Sequence, residues 1–300
     1  MAGEISIGTA GFSYKDWEGI VYPRDLKKKK LHPLQFLARY FDLVEINTSF
    51  YGHLRPENAR QWARMVEDVN PRFTFTAKLF RAFTHSPIAA VESTSAETIK
   101  PTNDDEHLAK AGFDSLAAKG KLGCVLAQFP ISFKNTEANR DYLDSLIARF
   151  RQYPLAVEIR HSSWNDPQVL ASFTAEGVAF CNIDQPLIGQ ALRPSTHVTA
   201  PVGYIRLHGR RYDQWFTHEH AHDRYNYLYT VPEMERWKGR VEQVAEKAEK
   251  TFVVANNHFK GKAAANSLEL RSLLTGRRVK APSTLIDTYP DLAKFATPEG

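Results

Sequence analysis

Several β-rich runs of this chain are interrupted by charged or polar residues at every second position. In 43–47, Val44 and Ile46 form one apolar face and leave Glu45 and Asn47 on the other. The same alternation sets Lys78 against Phe73, Phe75 and Ala77, Glu158 and Arg160 against Leu155, Val157 and Ile159, and Arg206 and His208 against Ile205 and Leu207. Gln128, Asp184 and the run Asn256-Asn257-His258 stand at the ends of three further strands. Lys78, Arg160 and Arg206 suit an anionic substrate group, since arginine offers a planar fork to carboxylate or phosphate and lysine a point charge. Glu45, Glu158 and Asp184 could include one carboxyl tuned toward neutrality while its neighbours are held ionised by the arginines. His208 is an acid or base near pH 7. The expected catalytic group is therefore Glu158, His208, Asp184 and Glu45. The expected binding group is Lys78, Arg160, Arg206, Asn47, Gln128, Asn256, Asn257, His258 and His85. A plainer reading stays open for Glu158 and Arg160, which could simply neutralise each other.

Those residues need elements that bring strand ends together. Strand patterns fall at 5–9, 43–47, 73–79, 122–129, 155–160, 178–184, 202–208 and 251–256. Helical periods lie at 33–41, 57–69, 105–119, 136–151, 167–176, 232–250 and 263–274, with Pro167 and Pro232 in first turns and Asp166 as a cap. The connection 185–201 carries no helical pattern. Eight strands, nearly all followed by a helix, predict an α/β fold, a single TIM-type (β/α)8 parallel barrel with long loops at the C-terminal face. Its core spans about 5–275, with a C-terminal tail at 276–300. A doubly wound open sheet is the runner-up, but Gly8-Thr9-Ala10-Gly11-Phe12 lacks the GxGxxG spacing of its dinucleotide-binding form. In a barrel the polar positions converge on one mouth, and burying so many charges without use is costly.

Composition excludes some classes and leaves others. The 300 residues are 43% hydrophobic and 24% charged, as in ordinary globular chains rather than disordered or fibrous ones. No apolar run reaches the roughly 20 residues of a membrane span, and the N-terminus does not read as a signal peptide, so no membrane partner and a cytoplasmic location are expected. Two cysteines, Cys124 and Cys181, fall in separate strands and cannot make a disulfide framework. Thirty-nine basic against 34 acidic residues give +5, and the densest run, Lys27-Lys28-Lys29-Lys30, reads as a solvated loop.

At the same strand ends the sequence resembles the domain-of-unknown-function family 72, also called the YecE-like family. The resemblance rests on Gly8-Thr9-Ala10-Gly11-Phe12-Ser13-Tyr14 with Trp17 and Tyr22-Pro23, on Val44-Glu45-Ile46-Asn47-Thr48-Ser49-Phe50-Tyr51, and on Lys78 with Thr84-His85. It continues through Gln128-Phe129-Pro130, Val157-Glu158-Ile159-Arg160-His161 with Ser163-Trp164, and Arg206-Leu207-His208-Gly209-Arg210. Tyr225-Asn226-Tyr227-Leu228-Tyr229 and Asn256-Asn257-His258 with Gly261, Ala263 and Asn266 complete it. Ala10, Phe12 and Phe129 depart from the family's usual Ser, Trp and Leu, and no charged position does. The resemblance implies a TIM-type barrel and brings no established reaction. Tyr14 and Tyr51, from its first two blocks, join the expected binding group.

The first functional reading is acid–base catalysis on a small anionic compound, phosphorylated or carboxylated, with a sugar-like compound among the candidates, and with no cofactor. The second is metal-assisted binding or cleavage of nucleic acid, with a divalent metal on Glu45, Glu158, Asp184 and His208. Arg160 and Arg206 on the same strand faces oppose a metal there. A third is a non-catalytic ligand-binding protein. The alternating His218-Glu219-His220-Ala221-His222 reads as solvated loop. The long connection 209–231 is a candidate lid, rich in aromatic residues such as Tyr212, Trp215, Phe216 and Tyr225, and 81–102 is another long loop, bearing Thr84, His85 and Ser86 near the mouth.

Overall fold

The computed structural model describes residues 2–26, 28–85, 100–211 and 225–299. Eight parallel strands close in sequence order into a barrel. They are β1 Glu4–Ala10, β2 Leu43–Ile46, β3 Thr74–Lys78, β4 Leu122–Gln128, β5 Leu155–Glu158, β6 Ala179–Asp184, β7 Val202–Leu207 and β8 Lys250–Ala255. Each begins and ends within two residues of the span that alternation predicts. Ala10 pairs with Glu45, Glu45 with Thr76 and Thr76 with Cys124, and Thr9 against Ala255 closes the ring. That closure sets the open doubly wound sheet aside.

Helices cover the outside, and their start signals work as local chemistry requires. The helix Pro167–Glu176 begins with the Asp166 carboxylate accepting from Gln168 N at 2.7 Å. In the helix Val231–Ala245, Glu233 reaches back to Thr230 N at 2.9 Å in a capping box. Two expected helices stop early. The one starting at Pro33 ends at Leu37, where Arg39 N and Tyr40 N turn to the tighter carbonyls of Phe36 and Leu37. The one expected to reach 250 ends at Ala245, because Lys250 already pairs in the barrel beside Glu4 and Val202. A short helix, Thr48–Tyr51, was not foreseen, and the β6–β7 connection forms no helix.

Side-chain parity decides what lies inside. Ile205, Leu207 and Val253 face outward and pack with Met234, Trp237, Val241 and Val244 of the helix Val231–Ala245. On the inner parity, Phe252 lies 6.1 Å from the Tyr204 ring, and its own ring fills the space beside Gly123, where a Cβ would come within 2.4 Å of it. Cys124 and Cys181 are buried free thiols. The stretch read as a tail is folded: β9 Val279–Pro282 and β10 Ala296–Glu299 pair in parallel across the helix Ser283–Thr288. Its Ala281, Leu285, Leu292 and Ala296 join the main apolar core. No helix among the described residues is long and apolar enough to cross a membrane.

Candidate active site at the C-terminal mouth of the barrel

Arg206, projecting inward from β7, is the hub of the polar interior. Its Nη2 donates to Glu45 Oε1 at 2.7 Å and its Nη1 to Gln128 Oε1 at 3.1 Å, with Nη1 also bonded to Glu158 Oε2. Tyr204, two residues earlier on the same face, donates to Glu45 Oε2 at 3.0 Å. Arg160 Nε caps the other Glu158 oxygen at 2.9 Å. His208 Nδ1 accepts from Asn256 Nδ2 at 3.0 Å, which leaves its proton on Nε2, 3.2 Å from Glu158 Oε1 in an imperfect alignment. Glu45, Glu158, Arg206 and His208 are all fully buried.

The electrostatics separates these groups. Burial alone would raise the Glu158 carboxyl, but Arg206, His208 and Arg160 together hold it well below the carboxylate range. Burial opposes the charge on Arg206, and Glu158 and Glu45 more than restore it. His208 is pushed down to about 3, chiefly by burial, so at neutral pH it is an uncharged imidazole. His85 is likewise pushed down to about 4 by burial and by Arg160 and Lys78, and its Nδ1 lies 2.9 Å from Thr84 Oγ1. Lys78 behaves differently. Burial first, then Arg206, bring its ammonium down to about 7 against the opposing pull of Glu45 and Glu158.

Beside this network a cavity of about 510 Å³ opens above β1, β2, β3 and β8. Lys78 lies on its polar side, and Phe12, Tyr14, Trp62, Tyr225 and His258 supply aromatic walls. The walls are braced: Tyr14 stacks on His258 at 4.3 Å, and Phe12 meets Trp62 edge-on at 5.3 Å. Gly11 permits the Tyr14 placement, having φ of +81° and no Cβ to strike the tyrosine hydroxyl at 2.6 Å. Asn47 also lines the cavity, and its Oδ1 is buried with no hydrogen-bond partner among the described residues.

The model for the family described as "Protein of unknown function DUF72" matches residues 6–288. The chain belongs to the DUF72 family. It is similar to UPF0759 protein YunF of Bacillus subtilis (strain 168), with 28% identity over 280 residues, 90% of this chain and 94% of the relative. Its structure resembles that of a DUF72 family protein from Thermotoga maritima MSB8, with TM-score 0.74, 30% identity and coverage of 91% of this chain and 99% of the other. A DUF72 family protein from Enterococcus faecalis V583 gives TM-score 0.72 and 26% identity, covering 90% of this chain and 95% of the other.

In this DUF72 barrel the residues expected at the mouth divide into three sets. Glu45, Glu158, Arg160, Arg206, His208 and Gln128 form the network, while Lys78, Asn47, Tyr14, Tyr51, Asn256 and His258 line the cavity. His85 stands behind Lys78, its ring edge-on to Phe50 at 5.0 Å. Asp184 is elsewhere. It shares the parity of Asn182, on the side away from the barrel axis, and takes both oxygens to Arg210 Nε at 3.0 and 2.9 Å and one to Trp237 Nε1 at 3.2 Å. Asn257 also points away, tying Tyr227 O to Asn266 Oδ1 at 2.8 and 3.0 Å. Arg206, expected to meet substrate, engages Glu45, Glu158 and Gln128 through its Nη groups, and both it and His208 are fully buried.

Among the described residues no group of three or more His, Cys, Asp or Glu is arranged to hold a metal ion. The oxygens of Glu45 and Glu158 are engaged by arginine and tyrosine, and the run 218–222 lies outside the described residues. Sequence reasoning missed Phe12, His32, Trp62 and Tyr204. Tyr204 was readable, since it shares the parity of Arg206 and His208. Trp62, on the helix Pro56–Glu67, carried only the signature of a core residue.

Proposed function

We propose that this barrel is an enzyme that moves a proton on a small anionic ligand bound in the mouth cavity, with Lys78 Nζ as the group that takes and returns it. The observation that carries this reading is the position of Lys78, between the charged network and the open cavity. Its side chain keeps 11% of its surface exposed, whereas Arg206 keeps none, and its nearest carboxylate oxygen, Glu45 Oε1, is 3.9 Å away. Glu45 and Glu158 offset Arg206 and Arg160 charge for charge, and the two histidines of the network side, His208 and His85, are neutral at pH 7. The cluster is therefore uncharged while Lys78 is an amine and carries one positive charge once it is an ammonium. Proton uptake and anion binding are coupled at such a site.

The coupling has a definite sign. An anion stabilises the ammonium, so binding above pH 7 requires proton uptake, whereas below pH 7 the proton is already present. Carboxylates such as lactate and pyruvate do not titrate in this range and serve as probes. Their affinity, read from thermal shifts, is expected to be flat from pH 5.5 to 6.5 and to fall by up to about tenfold per pH unit above 7. Lys78→Met is expected to lose the shift. If no carboxylate or phosphate raises the melting temperature of the wild type more than that of Lys78→Met, the reading is wrong.

A further inference from the structure

We propose, building on that reading, that Lys78 Nζ is also a nucleophile, and that the ligand is a small carbonyl compound with an anionic group, such as a 2-oxo acid, captured as an imine. Three features of the site support this chemistry. First, the amine is held for attack: no acceptor among the described residues takes a hydrogen bond from Nζ. Glu45, the nearest carboxylate, already accepts from Arg206 Nη2 at 2.7 Å and Tyr204 Oη at 3.0 Å. Second, the surroundings disfavour the ammonium. Nζ is largely buried, and Arg206 and Arg160 add positive charge; together these outweigh the Phe50 ring 5.6 Å away and the two carboxylates, which favour the cation, so the group titrates near 7 and a large share is free amine at neutral pH. A desolvated lysine beside other cations is the usual way a protein makes this side chain nucleophilic. Third, the cavity offers neutral hydrogen-bonding groups where a carbinolamine would form. The unpartnered Asn47 Oδ1 can accept from a ligand hydroxyl, and Asn256 lies on the same wall.

The step balances without an oxidant or a metal. The Nζ lone pair forms the C–N bond, the carbonyl C–O bond breaks, and the oxygen leaves as water with the two amine protons. The resulting imine draws electrons from the carbon next to it, so proton transfer there becomes easier. Nζ is then committed as the imine nitrogen, so it serves as proton acceptor only towards ligands that it does not capture. Phe12, Trp62, Tyr14 and His258 frame a space suited to a compact ligand rather than a polymer.

Reductive trapping tests the proposal. Wild-type protein is incubated at pH 7 with pyruvate, glyoxylate or glyceraldehyde 3-phosphate and sodium cyanoborohydride, then mapped by peptide mass spectrometry. The expected result is one adduct per chain on Lys78 with at least one probe, at tenfold or more the occupancy of the lysines at 28–30. Lys78→Arg, which keeps a charge, is expected to lose that adduct and leave the surface labelling unchanged. Site mapping in the wild type makes the result independent of how well the variant folds. Absence of a preferred adduct at Lys78 overturns the imine. If lactate still gives a Lys78-dependent thermal shift, the proton-transfer reading stands without it; if that shift is also missing, both fall.

Discussion

Arg206 is held between carboxylates that arrive from two other strands, Glu45 from β2 and Glu158 from β5. A fully buried guanidinium is tolerable because both carboxylates and Gln128 accept from its Nη1 and Nη2 groups, although Nε finds no hydrogen-bond partner among the described residues, and each carboxylate depends on it in return. Removing it leaves two buried carboxyls without the cation that joins them. Arg206→Met is expected to cost about 3–5 kcal/mol in urea unfolding at pH 7, the usual penalty for breaking one side of a buried pair. The pH dependence should invert. In the wild type the Glu158 carboxyl is held well below the usual carboxylate range, so its contribution is present above the unfolded carboxylate value and disappears as pH falls. In Arg206→Met the Glu158 carboxyl loses the strongest influence that lowers it, and the variant should gain stability between pH 7 and 5 relative to wild type. Adding Glu45→Gln and Glu158→Gln should recover most of the loss. A loss below about 1 kcal/mol at pH 7 would show that the network is not a structural unit.

At the scale of elements, alternation and cap chemistry carried most of the information. The strand spans were readable because the barrel-facing and helix-facing sides of β5 and β7 differ sharply in polarity. Pro167 and Asp166 marked a helix start because their physics is local, and Asp166→Ala is expected to cost about 0.5–2 kcal/mol. Hydrogen exchange should place the loss in the helix Pro167–Glu176 while leaving any Lys78-dependent ligand shift intact. Exchange unchanged in that helix would remove the cap from the account. The site was legible as a group of strand positions but not in its roles. Whether an arginine meets substrate or a carboxylate depends on which strands neighbour it, and that is set by closure of the ring. Asp184 shows the limit most clearly, since a strand-terminal acid looks the same on either parity. Lys78 was placed correctly among the inward residues, yet its low proton affinity comes first from burial and then from Arg206 on β7, with a smaller push from Arg160 just after β5, and local pattern does not join these.

The whole molecule depends on a segment that lies beyond the eighth strand. After the helix Lys262–Thr275 the chain forms β9, a helix and β10, and Leu285 and Leu292 bury themselves in the core shared with the barrel. The same segment reaches the mouth, since Tyr289 Oη donates to Lys260 O at 2.6 Å, and Lys260 N in turn bonds Asp16 Oδ2 at 2.6 Å. These contacts fix the turn that follows His258, whose stack with Tyr14 forms one wall of the cavity. Folding energy and site geometry are thus coupled through the C-terminal segment. Leu285→Ala is expected to destabilise the protein by about 2–5 kcal/mol, the range for truncating a buried leucine. It should also weaken carboxylate-induced thermal stabilisation by a larger factor than Asp166→Ala does, because it loosens a cavity wall as well as the core. Urea unfolding and thermal shifts on the two variants compare the effects directly. Should Leu285→Ala cost less than about 0.5 kcal/mol, the segment is a passive appendage and the coupling is absent.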